Sequence, residues 1–481
     1  MSFFDNILNN LPEVASPTQK KLSFKEKLKW TGITLLLFFI LGFIPLYGLG
    51  QNALEQFEFL SVILGAEFGS IISLGIGPIV TASIVLQLLN GSGIVNFNLE
   101  SPDGKRRFQG IQKLLAMAFV VFEAGIYVFM GGLAPAEVGH VFASGVVMTP
   151  TLFFELELLL VFQLTLGGLL ILFMDEVISK WGFGSGLSLF IAAGVSKSLF
   201  IRAFSWVPAS GILEAGGFTY ATGAVIALFQ ALAQNDPVTA SLKLAGIIAT
   251  IVVIIMSVYA QAMKIEIPLS FGRVRGHGIR WPLKFIYTSN IPVILVAALL
   301  ANLQLWARLL QNWGYPLLGS FAAGTNQPIS GFIKWISVPG GMEGIVGEIL
   351  KSTLTMTHIG QALGYFLFMI VGCVIFSWFW MQTAGMDSRS QAKKMMSSGL
   401  QIPGFRKDPR VLERLLDRYI GPLTIMGGIT VGILAAVADL AGALANGTGI
   451  LLTVMILYGL YEEIAKQHMM DMNPVMRRFM E

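Results

Sequence analysis

Glu123, Asp439 and the pair Glu155/Glu157 are carboxylates set inside long apolar runs. An ionisable group in hydrocarbon is costly, so it normally faces a partner or a wet cavity. Glu123 falls near the middle of its run, where a functional role and plain structural hydrogen bonding both stay open. The other three lie near run ends, where snorkelling or a helix N-terminus accounts for them. Covalent and metal chemistry find little support. Cys373 is the single cysteine and sits in an apolar run, so the chain can build neither a disulfide framework nor a CxxC pair. His140, His277, His358 and His468 are scattered, without metal-ligand spacing. No G-x-x-x-x-G-K-[ST] run is present, so nothing points to nucleotide hydrolysis. The chain reads as a non-enzyme without metal or cofactor, whose work draws on an outside source of energy.

Composition says what elements must hold these carboxylates. The 481-residue chain is 54% hydrophobic and only 12% charged, with a mean hydropathy of +0.71. That describes a polytopic membrane protein. A spanning helix needs about 20 apolar residues, because every backbone polar group must be satisfied within the segment. Residues 30–49, 111–132, 151–174, 244–262, 286–306, 359–380 and 419–440 meet that length between polar flanks. Residues 74–89, 184–199 and 449–461 are shorter or interrupted by glycine. The expectation is ten spans, with 220–234 read as a short helix lying in a loop rather than as an eleventh.

Charge gives the orientation. On this plan all 32 Lys and Arg except Lys197, Arg202, Lys243, Arg308, Lys334 and Lys351 fall on the side of the two termini. Basic loops stay in the cytoplasm, so both termini are expected there, in a multi-pass protein of the cell membrane. Residues 1–29 lack the features of a cleavable signal. Phe3, Phe4, Ile7, Leu8 and Leu11 recur at helical spacing, which suits an amphipathic segment on the cytoplasmic surface. The expected units are an N-terminal half (30–200), an external loop (201–243), a C-terminal half (244–466) and a cytoplasmic tail (467–481).

Two cytoplasmic loops are basic and rich in turn residues. Loop 263–285 carries Lys264, Arg273, Arg275, Arg280 and Lys284, and loop 385–418 carries Arg406, Lys407 and Arg410 at its turn. Fixing topology accounts for some of this charge but not for the length or the Pro/Gly turns. A protruding basic loop suits a polyanion such as ribosomal RNA, whose phosphates reward Arg and Lys without sequence readout. Residues 51–73, QNALEQFEFLSVILGAEFGSIIS, cannot cross the core as they stand. They can dip in and stop. Re-entrant backbone is tolerated only where protein or a water-filled cavity surrounds it, so a cavity within the bundle is expected, lined by the short second and fifth spans.

LGIGPIVTASIVLQLLNGSG (74–93), GFGSGLSLFIAAGVS (182–196), SNIPVILVAALL (289–300), GLQIPGFR (399–406) and NGTGILLTV (446–454) occur in that order. With the ten-span plan they make the chain resemble the SecY family, the large channel-forming subunit of the Sec protein translocon, in its archaeal and eukaryotic branch. The resemblance implies an all-α polytopic fold of ten transmembrane helices in two pseudo-symmetric five-helix halves, with a re-entrant plug. It implies a channel that translocates secretory polypeptides and releases hydrophobic helices into lipid through a lateral gate.

By position in the matched motifs, the constriction ring would fall on Val80, Ile84, Leu187, Ile191, Ile294 and Leu452. Val80 and Leu187 stand where the family often has Ile. Val80/Ile84 and Leu187/Ile191 are i, i+4 pairs, each showing one helix face. A ring of aliphatic tips can dewet a constriction and still part without breaking hydrogen bonds. The plug would comprise Phe57, Leu60, Ile63, Leu64, Gly65, Glu67, Phe68 and Gly69. Spans two and three would meet seven and eight at the gate, with Gln87, Glu123 and Asn302 as its polar cluster. Arg273, Arg275, Arg280, Arg406, Lys407 and Arg410 would dock the translating ribosome. A small SecE-type (gamma) subunit, a small beta-type subunit, nascent polypeptides, signal sequences and membrane lipids are the other implied partners. The alternative is a secondary transporter of a small solute with inverted repeats. It would need charge or unwound carbonyls at the midplane, where these residues are mainly aliphatic.

Overall fold

The computed structural model describes residues 10–18, 22–52, 64–91, 94–95, 97, 101–136, 138–139, 148–207, 220–271, 278–288, 290–322, 327–397, 400–401 and 409–472. Ten principal helices follow one another: α1 (Phe24–Gly42), α2 (Gly77–Gly91), α3 (Pro102–Phe129), α4 (Pro150–Trp181), α5 (Gly186–Phe204), α6 (Pro237–Ala262), α7 (Ile291–Asn312), α8 (Met356–Thr383), α9 (Pro409–Leu440) and α10 (Gly447–Met472). Their starts are written in the sequence. Ser101, Thr149 and Asp236 each accept a first-turn amide, and a proline sits at the start of α3, α4 and α6, where its missing N–H costs nothing.

Eight of these helices, α3 to α10, are long and apolar enough to cross a membrane. The exceptions are α1, which begins with Lys25, Lys27 and Lys29, and α2, whose 15 residues rise only about 22 Å against a hydrocarbon core of about 30 Å. The bundle's outer surface is apolar. On α6, Ile248, Ile251, Ile255 and Tyr259 form an exposed stripe at helical spacing, a face that suits lipid. Hydroxyls inside the spans bond back to the preceding turn, as Thr34 does to the Trp30 carbonyl (2.9 Å) and Ser257 to that of Val253 (2.6 Å).

The helices pack as two sets. In the first, α3 packs on α2 and α4, and α4 on α1 and α5; in the second, α8 packs on α7 and α9, and α10 on α6 and α9. The sets meet along two lines. On one, α2 lies against α7 and α8; on the other, α10 lies against α1 and α5. The short helix Ala224–Ala233 packs on α5 and α6 and is no span, at 10 residues.

Several elements differ from the sequence reading. Helix α1 starts at Phe24, inside the segment expected to lie on the surface. Residues 12–15 form an irregular strap over the ends of α3 and α4: Lys113 Nζ donates to the Pro12 carbonyl (2.6 Å), Lys180 Nζ to Glu13 and the Val14 carbonyl (both 2.6 Å), and Trp181 Nε1 to the Ala15 carbonyl (2.8 Å). Helices α5 and α10 are longer than expected, at 19 and 26 residues: α5 runs on through the mainly apolar 200–204, and α10 through the polar and charged 462–472. Two short strands, β1 (Gln51–Asn52) and β2 (Leu133–Ala134), pair antiparallel, and the basic loops also contain strands. β3 (Lys264–Phe271) pairs with β4 (Gly278–Lys284) as a hairpin, and β5 (Leu400–Gln401) joins β3, so loops 263–285 and 385–418 share one three-stranded antiparallel sheet. Beneath it Ile267, Leu283, Met395, Leu412 and Leu416 form a separate apolar cluster.

Candidate functional site: a central constriction and its seam

Four helices, two from each set, bring the expected ring together. Val80 and Ile84 on α2, Ile191 on α5, Ile294 on α7 and Leu452 on α10 are buried, none more than 7% exposed, in the same central apolar cluster. Leu187 is partly buried and packs against that cluster. None of these six can hydrogen-bond through its side chain, so the cluster holds them by apolar packing alone. Just beyond it, on the side away from the chain's termini, lies a cavity of about 530 Å³. Ser198 of α5, Ala297, Ala301 and Gln304 of α7, and Thr448 of α10 line it. Each stands one to three turns from a ring residue on the same helix, so cavity and constriction are consecutive.

The α2/α7 line carries a buried polar bridge. Asn302 Nδ2 of α7 donates to Thr81 Oγ1 of α2 at 2.9 Å. The single Thr81 proton has two acceptors in reach, its own Gly77 carbonyl at 2.8 Å and Glu123 Oε1 of α3 at 3.2 Å. Glu123 and Asn302 are 1% and 4% exposed, so the bridge lies in a low dielectric, where a satisfied polar link strengthens and an unpaired group is costly. Gly77 fits the site closely, since a Cβ there would stand 3.3 Å from Glu123 Oε2. Glu123 and Asn302 thus each reach the same Thr81 hydroxyl. Thr81, which joins them, was absent from the expected set. Gln87 is buried on the same helix, but its Oε1 has no partner and no hydrogen bond links it to Glu123 or Asn302 among the described residues.

A family profile described as SecY matches residues 70–461, and one described as the plug domain of Sec61p matches residues 36–69. The protein translocase subunit SecY of Methanothermobacter thermautotrophicus is 42% identical, over 99% of this chain and 98% of its own. That of Methanocaldococcus jannaschii is 40% identical, over 98% of both. The chain belongs to the SecY family. Two solved structures similar to this SecY chain agree in fold: one described as a protein conducting channel (TM-score 0.78, 39% identity, covering 96% of this chain and 97% of that one) and canine Sec61 in a ribosome-channel complex (TM-score 0.76, 38% identity, covering 96% and 97%). The transporter alternative is not favoured by these relatives.

Of the expected SecY plug, Leu64, Gly65, Glu67, Phe68 and Gly69 are described, whereas Phe57, Leu60 and Ile63 lie outside the described residues. Residues 64–76 form consecutive turns rather than a spanning helix. Ile76 N donates to the Leu64 carbonyl at 2.7 Å, and Leu46 N to the Gly69 carbonyl at 2.9 Å, so the segment folds back between α1 and α2. At Gly75 the chain takes φ +56°, and a Cβ would meet the Leu64 oxygen at 2.3 Å, so only glycine fits this reversal. Leu64 is fully buried, and Gly65 lies against Phe190, whose Cβ is 3.5 Å from where a Gly65 Cβ would stand. The outer edge is tied by Lys197 Nζ to Glu67 at 3.0 Å. Among the SecY loop residues, Arg273, Arg275, Arg406 and Lys407 lie outside the described residues. Arg280 stands on β4 opposite Pro268, and Arg410 is exposed at the start of α9. Asp439 has the helix-terminus explanation expected of it, as the cap of α10: the Thr448 amide donates to its Oδ1 at 2.7 Å.

Proposed function

We propose that this SecY chain is a protein-conducting channel that passes secretory polypeptides across the membrane and releases hydrophobic helices into lipid. Val80, Ile84, Leu187, Ile191, Ile294 and Leu452 act as its constriction. The observation that carries this reading is the gathering of those six aliphatic side chains, from both halves, in one apolar cluster next to a cavity of about 530 Å³. Apolar tips seal against water and ions while leaving nothing to break when a chain pushes through. Residues 51–73 serve as the plug. The line where α2 and α3 face α7 and α8 is the lateral gate, latched by Asn302, Thr81 and Glu123. Burying an apolar helix there repays the latch, because the seam opens toward lipid.

The basic loops dock a translating ribosome, whose elongation supplies the push, and Arg273, Arg275, Arg280, Arg406, Lys407 and Arg410 meet its phosphates. A ribosome in complex with canine Sec61 supports that partner. Small gamma- and beta-type subunits bind alongside. The chain lies in the cell membrane with both termini cytoplasmic. A photo-crosslinker placed at Ile84 or Ile191 and offered a stalled secretory nascent chain is expected to give adducts at both positions. Leu36, which faces outward at 60% exposure, is expected to give few. Labelling at Leu36 equal to that at the two ring positions would overturn the channel reading.

A further inference from the structure

Helices α5 and α10 carry ring residues close to their first turns, and a helix N-terminus leaves amides that hydrocarbon cannot satisfy. Ser185, just before α5, makes no side-chain cap. Instead Asp175, near the end of α4, accepts the Leu187 amide at 2.9 Å and faces that of Gly186. The other half repeats the device with the opposite polarity. Asp439, in the last turn of α9, accepts the Thr448 amide at 2.7 Å and takes the hydroxyls of Thr448 and Tyr365 on its other oxygen. Both helices begin on a glycine that has no room for a side chain. A Cβ on Gly186 would stand 2.6 Å from Asp175 Cα, and one on Gly447 would stand 2.2 Å from the Ala438 carbonyl carbon. The ring residue follows at the same offset in each, Ile191 after Gly186 and Leu452 after Gly447.

We propose that Asp175 and Asp439 are paired positioning residues, one per half, which pin the starts of α5 and α10 and thereby set how tightly Ile191 and Leu452 close the resting constriction. The proposal rests on the channel reading above and adds the groups that fix its diameter. A helix is stiff over so short a distance, so displacement of the pinned turn reaches the ring undiminished. Asp175 lies on the side of the termini and Asp439 lines the cavity, so the ring is held from both sides.

The test uses the full chain with its small subunits in planar bilayers and reads resting ion conductance. Asp175→Ala and Asp439→Ala are each expected to raise the leak about ten-fold, corresponding to about 1.4 kcal/mol. Asp→Asn, which keeps an oxygen for the amide, is expected to stay near wild type. Leu416→Ala, in the cluster under the cytoplasmic sheet, is expected to lower stability without a leak, which separates positioning from general loosening. Should the alanine variants fail to assemble, Gly186→Ala and Gly447→Ala, which keep both carboxylates but displace the pinned turn, are expected to leak in their place. Wild-type conductance in assembled variants, or a leak from Leu416→Ala equal to theirs, overturns the proposal. Nascent-chain adducts at Ile191 alongside such a result would leave the ring intact; their absence would remove the ring itself.

Discussion

Thr81→Val tests the latch most directly, because it is nearly isosteric and deletes one oxygen. That oxygen accepts the bond by which, among the described residues, the bridge crosses the seam, from Asn302 at 2.9 Å. Hydrogen bonds between helices in membranes average about 0.6 kcal/mol and reach about 1.7, so the ratio of open to closed seam rises about 3-fold to 18-fold. A Leu at a span centre contributes at most about 0.6 kcal/mol to integration, so the hydrophobic threshold falls by about one to three leucines. The assay presents translocating test segments of graded Leu content and finds the content at which half integrate. Thr81→Ser keeps the hydroxyl and is expected to restore the wild-type midpoint. A Val midpoint within half a leucine of wild type, or one shifted toward more leucine, would refute the latch.

Glu123→Gln keeps the side chain's shape and an oxygen for Thr81 but replaces the unpartnered Oε2 with an amide; its midpoint is expected to move, and an unaltered one removes Glu123 from the gate. Arg275→Glu with Arg406→Glu is expected to weaken ribosome co-sedimentation and to flatten its salt dependence by about one unit of slope per lost contact. Binding that is unchanged across a salt series refutes the docking assignment. Leu416→Ala removes a fully buried side chain beneath the cytoplasmic sheet and should cost about 2–5 kcal/mol, read as faster proteolytic nicking of loop 385–418. Wild-type cleavage kinetics would show that the cluster does not hold that loop.

The spans were legible because hydrocarbon imposes length and apolarity on every crossing segment, whereas the six ring positions rest on the resemblance of their motifs, since aliphatic residues at i, i+4 spacing occur on any core helix. What escaped has specific causes. Thr81 carries no charge, and a threonine in a helix ordinarily bonds back to its own preceding turn, as this one also can toward Gly77, so nothing in the sequence marks its second partner. Asp175 sits among Glu176 and Lys180 near a span end, where a carboxylate reads as an interfacial charge. Strand β3 hides because Pro268 interrupts its alternation and because one neighbour, β5, is two residues long and arrives from the far side of α8. Gln87 is polar and lies on a span that the resemblance places at the gate, but neither fact says which neighbour its side chain meets. The latch is set by which side chains meet across α2 and α7, and one helix read singly does not contain that.

The three-stranded sheet stitches both basic loops together, and every strand in it, with the cluster beneath, belongs to the same half of the molecule. On the proposed channel reading, a ribosome seated on those loops would therefore hold one half of the molecule alone. Residues 64–76 and α2 belong to the other set of helices, which meets this half along α2 with α7 and α8 and along α10 with α1 and α5. On the proposed channel reading, docking and the parting of the two halves would be mechanically separate acts, and a docked channel would stay shut until its cargo arrived.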